Sequence, residues 1–153
     1  MAIEAIFARS GMLVLPFWLL MALLPRWRWT ERIIRSPLIC LPAALVYLGL
    51  VVPQVGAIWS VVGNAELGAV AALLGSPLGA TIAWAHFLAF DLFVGRWAYL
   101  DSRARNVPAL LMLPVLFLIL MLGPIGFVCY LGLRALVGTR GQPRVATRSD
   151  YAA

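Results

Sequence analysis

Four stretches of this chain run without a formal charge, at residues 10–25, 36–65, 67–90 and 106–133. A hydrocarbon core of about 30 Å takes roughly 20 helical residues to cross, and only helices or closed barrels satisfy their own backbone there. Each stretch becomes a candidate transmembrane helix once its edges are extended or trimmed, with spans at about 5–24, 37–54, 79–100 and 108–133. The composition excludes the soluble alternative: 63% of residues are hydrophobic, 12% are charged, and the mean hydropathy is +0.97. A water-soluble domain would leave too much of that apolar surface exposed. The expectation is one all-α domain over residues 1–137, an integral membrane bundle of about four transmembrane helices, followed by a polar, disordered tail at 138–153.

The edges of the runs support these spans. Glu4 and Arg9 lie close enough to one end of the first span to snorkel toward water. Its other end is Pro25-Arg26-Trp27-Arg28-Trp29, which resembles an interfacial belt and lacks the small residues of a signal-peptide cleavage site. Pro37 suits the first turn of the second span, and Pro53 is expected to kink or end it. The following stretch is broken by Gly56, Gly63, Asn64, Glu66, Gly68 and Gly75 and reads as an interfacial or re-entrant segment. The fourth span starts at Pro108. Pro114 and Gly123-Pro124-Ile125-Gly126 should bend or locally unwind it, because each proline removes a backbone donor.

The net charge of +6 comes from arginines gathered between and beyond the apolar runs, with no lysine in the chain. Such juxtamembrane clusters fit anionic lipid head groups and not nucleic acid, which calls for basic residues interleaved with stacking aromatics on a soluble surface. With four crossings, Arg26, Arg28, Arg32, Arg35, Arg103 and Arg105 fall on one side, which the positive-inside rule makes cytoplasmic. Arg140, Arg144 and Arg148 would then lie outside with the N-terminus, against the same rule. Cys40 and Cys129 sit in separate apolar runs with no Cys-x-x-Cys spacing, which reads as buried, unreactive thiols.

The third span carries His86, Asp91 and Arg96. An ionisable group at the centre of a membrane helix costs about 2.5 to 3.5 kcal/mol on insertion scales, so it faces protein or water. The two five-residue spacings spread the three groups around most of the helix, so the helix is enclosed by neighbours or Arg96 reaches along the axis to Asp91 or out to the interface. One reading is structural: an Asp91–Arg96 pair that neutralises itself, with His86 bonded to a backbone carbonyl. The other makes these groups the polar patch of an apolar ligand site, with Asp91 or His86 as acid or base. The inventory excludes a Schiff-base lysine, a phosphate-loop lysine, a histidine-rich di-iron site and two-histidine haem ligation. His86, Asp91, Glu66 and Asp101 show no metal-ligand spacing, and Ser60 or Ser76 with His86 and Asp91 makes no supported hydrolytic triad.

The stretch Trp84-Ala85-His86-Phe87-Leu88-Ala89-Phe90-Asp91-Leu92-Phe93-Val94-Gly95-Arg96-Trp97 resembles the signature of the abscisic-acid-deficient-type family, membrane proteins linked in plants to neoxanthin synthesis. Leu15-Pro16-Phe17-Trp18-Leu19-Leu20-Met21, Leu24-Pro25-Arg26-Trp27-Arg28-Trp29-Thr30, Ser36-Pro37-Leu38 and Gly123-Pro124-Ile125-Gly126 resemble the same family, so the likeness covers roughly residues 10 to 134. It implies conversion of the carotenoid epoxide violaxanthin into allenic neoxanthin, an isomerisation that needs no cofactor. Asp91 and His86 would share the acid and base roles and Arg96 would stabilise negative charge. Trp84, Phe90, Trp97, Gly123 and Gly126 would contact the polyene, in a groove opened between the third and fourth spans by the two glycines. A non-catalytic carotenoid- or lipid-binding protein or assembly partner is the alternative, and a small solute carrier the third. The expected partners are membrane lipids and a carotenoid or other polyene, with a second copy of the chain admissible. The Arg-, Ala- and Leu-rich composition points to a bacterial inner membrane.

Overall fold

A computed structural model describes residues 2–138, so the tail expected to be disordered lies, but for its first residue, outside the described residues. Among the described residues every regular element is helical. Four helical runs are long and apolar enough to cross a membrane: Ile3–Leu23, Pro37–Val62, Pro77–Ala104 and Ala109–Val137. The protein is an all-α integral membrane bundle.

Helix α1 (Ile3–Leu23) keeps its course despite Pro16 inside it. Residues 24–27 then turn the chain into α2 (Arg28–Arg35), a short amphipathic helix that buries Thr30 and Ile34. Its Trp29 ring lies outside, with the guanidinium carbons of Arg28 and Arg32 at 5.8 and 5.4 Å from the ring centroid. Apolar ring and cationic rim together suit a helix lying in the head-group layer. Glu31 and Arg35 pair across one turn at 2.6 Å. Ser36 ends α2, accepting a hydrogen bond from the Leu38 N–H at 3.3 Å, and Pro37 opens the next run.

That run continues further than the proline pattern implies. A 3-10 turn at Pro37–Cys40 leads into α3 (Leu41–Val51), a second 3-10 turn at Val52–Gln54 holds Pro53, and α4 (Val55–Val62) carries on beyond it. Pro53 therefore tightens one turn without ending the run, because its missing donor falls in the 3-10 turn and the bonding pattern resumes after it. The glycine-broken stretch forms α4 and α5 (Leu67–Leu74), which pack against each other across the turn at Gly63. Ser76 caps the next helix, α6 (Pro77–Ala104), its hydroxyl accepting from the Gly79 N–H at 3.0 Å, with Pro77 at the first helical position.

Helix α6 is the axis of the bundle and touches α1, α2, α3 and α5 as well as the last helix. Three contacts set the direction of α1. Phe7 meets Trp84 at 5.3 Å between ring centroids, Trp18 covers Gly95, and the Tyr99 hydroxyl donates to the Pro25 carbonyl at 2.8 Å. Rising positions in one helix meet rising positions in the other, so α1 and α6 run parallel. A Cβ on Gly95 would overlap the Trp18 ring, so this helix pair approaches as closely as it does only over a glycine. Tyr47 meets His86 and Arg35 meets Arg96, which makes α3 antiparallel to α6. Val14, Trp18, Met21, Leu88, Leu92, Tyr99, Met112, Leu116 and Ile119 fill the shared core.

The last helix, α7 (Ala109–Gly138), is two helices joined at a break where Leu122 (φ −138°, ψ 34°) and Gly123 (φ 8°, ψ −77°) leave helical geometry. The expected unwinding thus falls at the start of Gly123-Pro124-Ile125-Gly126, while Pro114 is accommodated within a continuous helix. The break is a reversal. A straight helix would carry Tyr130 about 30 Å from the start of α7. Instead the Tyr130 hydroxyl donates to Asp101 Oδ2 at 2.6 Å, at the end of α6 from which α7 departs. Residues 109–121 climb antiparallel to α6 until Leu120 stands beside Asp91, and residues 124–138 descend parallel to α6 past Trp97. A Cβ on Gly126 would fall on the backbone of Leu118 and Ile119, so the two arms touch at the tip.

Candidate functional site

Asp91 stands at the tip of this hairpin. Gly123 presses its backbone against the carboxylate, leaving no room for a side chain between them. Two cavities meet at Asp91. One, of about 200 Å³, lies between α1, α6 and the tip and includes Gly11, Val14, Trp18, Trp84 and Leu120 in its wall. The other, of about 380 Å³, lies between α6 and the second arm and is lined by His86, Phe87, Phe90, Val94, Gly123, Pro124 and Phe127 besides Asp91. An apolar groove of about 410 Å³ between α1 and the first arm shares Leu15, Trp18 and Leu120 with the first cavity.

The structure brings His86 and Asp91 to one cavity. The His86 ring stacks on Phe90, one turn further along α6, with centroids 4.5 Å apart and planes 20° apart, and meets Tyr47 of α3 at 5.6 Å. Its surroundings are aromatic, and among the described residues neither its ring nor the Asp91 carboxylate has a hydrogen-bond or ion-pair partner. The backbone-carbonyl bond expected of a purely structural histidine does not form.

Arg96 is a correction. It makes no pair with Asp91: its guanidinium donates to the Arg35 carbonyl at 2.5 Å, at the C-terminus of α2. Five residues turn a helix about 140° past a full turn, so Arg96 leaves α6 on another side, where a helix end offers an orphan carbonyl. Of the alternatives open to Arg96, the structure takes the reach to the interface, away from the two cavities. Trp97 and Gly126 are not among the residues that line these two cavities. Trp97 packs edge-on against Tyr130 at 5.3 Å and lies under the Arg134 guanidinium at 5.6 Å, and Gly126 serves the approach of the two arms. Trp84, Phe90 and Gly123 do line the cavities. No group of three or more His, Cys, Asp or Glu side chains able to hold a metal gathers among the described residues.

Sequence reasoning missed the cluster around Asp101. Its Oδ2 accepts hydrogen bonds from Tyr130 and from Arg105 Nε at 2.8 Å, and forms an ion pair with Arg134 Nε at 3.1 Å. The carboxylate beside it holds the Arg105 guanidinium above its ordinary value. Tyr130 and Arg134, one turn apart, were a visible polar stripe in an apolar run, but only the reversal at Gly123 brings them to Asp101.

These features sit within the segment that a family comparison covers. The family described as ABA DEFICIENT 4-like matches residues 5–130, most of the chain. The chain belongs to this family. No curated protein and no solved structure matches it. As an ABA DEFICIENT 4-like protein with four helical runs of sufficient length and apolarity to span, it is an integral membrane protein. The matched residues include α6, the hairpin tip and both walls of the Asp91 cavities, and they stop at Tyr130.

Proposed function

We propose that this ABA DEFICIENT 4-like protein isomerises the epoxide of a carotenoid or similar polyene at Asp91 and His86, without a cofactor. The observation that carries the reading is an unpaired carboxylate and an unpaired imidazole on one cavity, at the end of a continuous apolar wall formed by α1 and the hairpin. A polyene needs a long apolar groove, and its epoxide needs a proton donor and a proton acceptor where the groove becomes polar.

The step balances within the substrate. The carbon–oxygen bond nearer the polyene breaks, the oxygen keeps the electron pair and takes a proton from the acid, and the base removes the vinylic proton from the adjoining polyene carbon. That carbon–hydrogen pair becomes the second double bond of an allene. One proton enters and one leaves, so substrate and product are isomers and the site is restored when the proton passes from base to acid. Asp91 and His86 divide the two roles. Arg96, turned to α2, has no part in them.

Expression in a host that accumulates violaxanthin tests the reading. Neoxanthin should form without an added redox cofactor, and Asp91→Asn should abolish it while the protein stays in the membrane, since the amide keeps the shape but exchanges no proton near neutral pH. Pigment that co-purifies unchanged would instead assign the cavities to binding, and neither binding nor conversion would reject carotenoid epoxides as ligands.

A further inference from the structure

We propose that α7 does not cross the membrane: residues 109–138 form a re-entrant hairpin that enters and leaves on the face carrying α2, so that the two ends of the chain lie on opposite sides. The inference rests on geometry and is independent of the reaction. Each arm, at about 1.5 Å per residue, is roughly 20 Å long, well short of a hydrocarbon core of about 30 Å. The ends of both arms stand level with the C-terminus of α6. The Val107 N–H donates to the Ser102 carbonyl at 2.9 Å before the first arm, and Tyr130 and Arg134 reach Asp101 from the second. The tip reaches Asp91, half of α6 away, which is mid-depth.

Three crossings then remain. Helix α1 runs one way, the run Pro37–Val62 returns, and α6 goes parallel to α1. Gly123, Pro124 and Gly126 at the tip of α7 fit this role. Irregular backbone at membrane depth is tolerated where it is enclosed by protein or lines a cavity, and the Leu122–Gly123 break does both, against Asp91.

Charge supports the arrangement independently. With the hairpin, every arginine among the described residues but Arg9 belongs to one face: Arg26, Arg28, Arg32 and Arg35 around α2, Arg96 reaching to α2, Arg103 and Arg105 at the end of α6, and Arg134 on the second arm. Four crossings would split the arginines and carry Arg134 to the side opposite Arg103 and Arg105. Three crossings and a hairpin satisfy the positive-inside rule for all of these but Arg9 and make the α2 face cytoplasmic.

Reporters fused in turn to the N-terminus and the C-terminus of the full chain decide the matter. Opposite sides, with the C-terminal reporter cytoplasmic, are expected, and both reporters on one side would overturn the hairpin. As a check free of fusions, single cysteines at Asn64→Cys, Asn106→Cys and Ser149→Cys, each with Cys40 and Cys129 replaced by alanine, can be labelled with a membrane-impermeant maleimide. Asn106 and Ser149 positions should label from one side and the Asn64 position from the other. Ser149 labelling with Asn64 would overturn the proposal, and if these variants fail to accumulate the fusions stand as the test.

Discussion

Gly123 lies directly against the carboxylate of Asp91, so that a Cβ added to the glycine would fall on Oδ1. The reversal of α7 and the position of the one acid in the middle of α6 are thus a single packing arrangement. Whatever Asp91 does, it does at a helix break.

Gly123→Ala should therefore harm both fold and site. Forcing an atom into this contact costs about 1 to 3 kcal/mol by analogy with overpacked cores, and it displaces the carboxylate from the cavity it shares with His86. Gly132→Ala is the control. It lies in the second arm with open space around its missing Cβ, and should change stability by no more than about 1 kcal/mol in either direction. Thermal denaturation in detergent measures both variants. Equal losses would show that any added methyl disturbs α7 and that Gly123 has no special contact.

Asp91 and Arg96 should behave as independent residues. Arg96 is spent on the Arg35 carbonyl, so losses from Asp91→Ala and Arg96→Leu should add within about 0.5 kcal/mol. A double variant no less stable than the worse single variant would reveal an ion pair and contradict the geometry.

Asp101 should anchor the second arm. Tyr130→Phe removes a hydrogen bond to a charged acceptor, worth about 1.5 to 3 kcal/mol. Loss of Arg105, whose side chain stands at the surface, should cost clearly less, because water screens the pair. If Tyr130→Phe proved as mild as Arg105→Ala in a denaturation series, Asp101 would be no anchor and the second arm would be held by Trp97 and Phe127 alone.

The sequence by itself determined the class of the molecule. Uncharged runs long enough to cross a bilayer leave a helical bundle as the economical solution, and the stretch from Trp84 to Trp97 marked the helix that carries the polar groups. It also located the break in the last helix, because Gly123-Pro124 removes a side chain and a donor at adjacent positions. Local chemistry of that kind is legible without neighbours.

Tertiary structure alone decided direction and partnership. A glycine–proline step permits a bend of any size, and only the docking of Tyr130 and Arg134 on Asp101 shows that the bend is a full reversal. Spacing along α6 likewise placed Arg96 within a turn and a half of Asp91, yet its length let it reach either way along the axis, and the orphan carbonyl at the end of α2 drew it off. Pro53 shows the same limit from the other side: the residue fixes its own φ, but the run continues because the missing donor falls in a 3-10 turn after which helical bonding resumes. Periodicity specifies which face a residue occupies. It does not specify which surface lies opposite, and at Asp91 that surface is the backbone of Gly123.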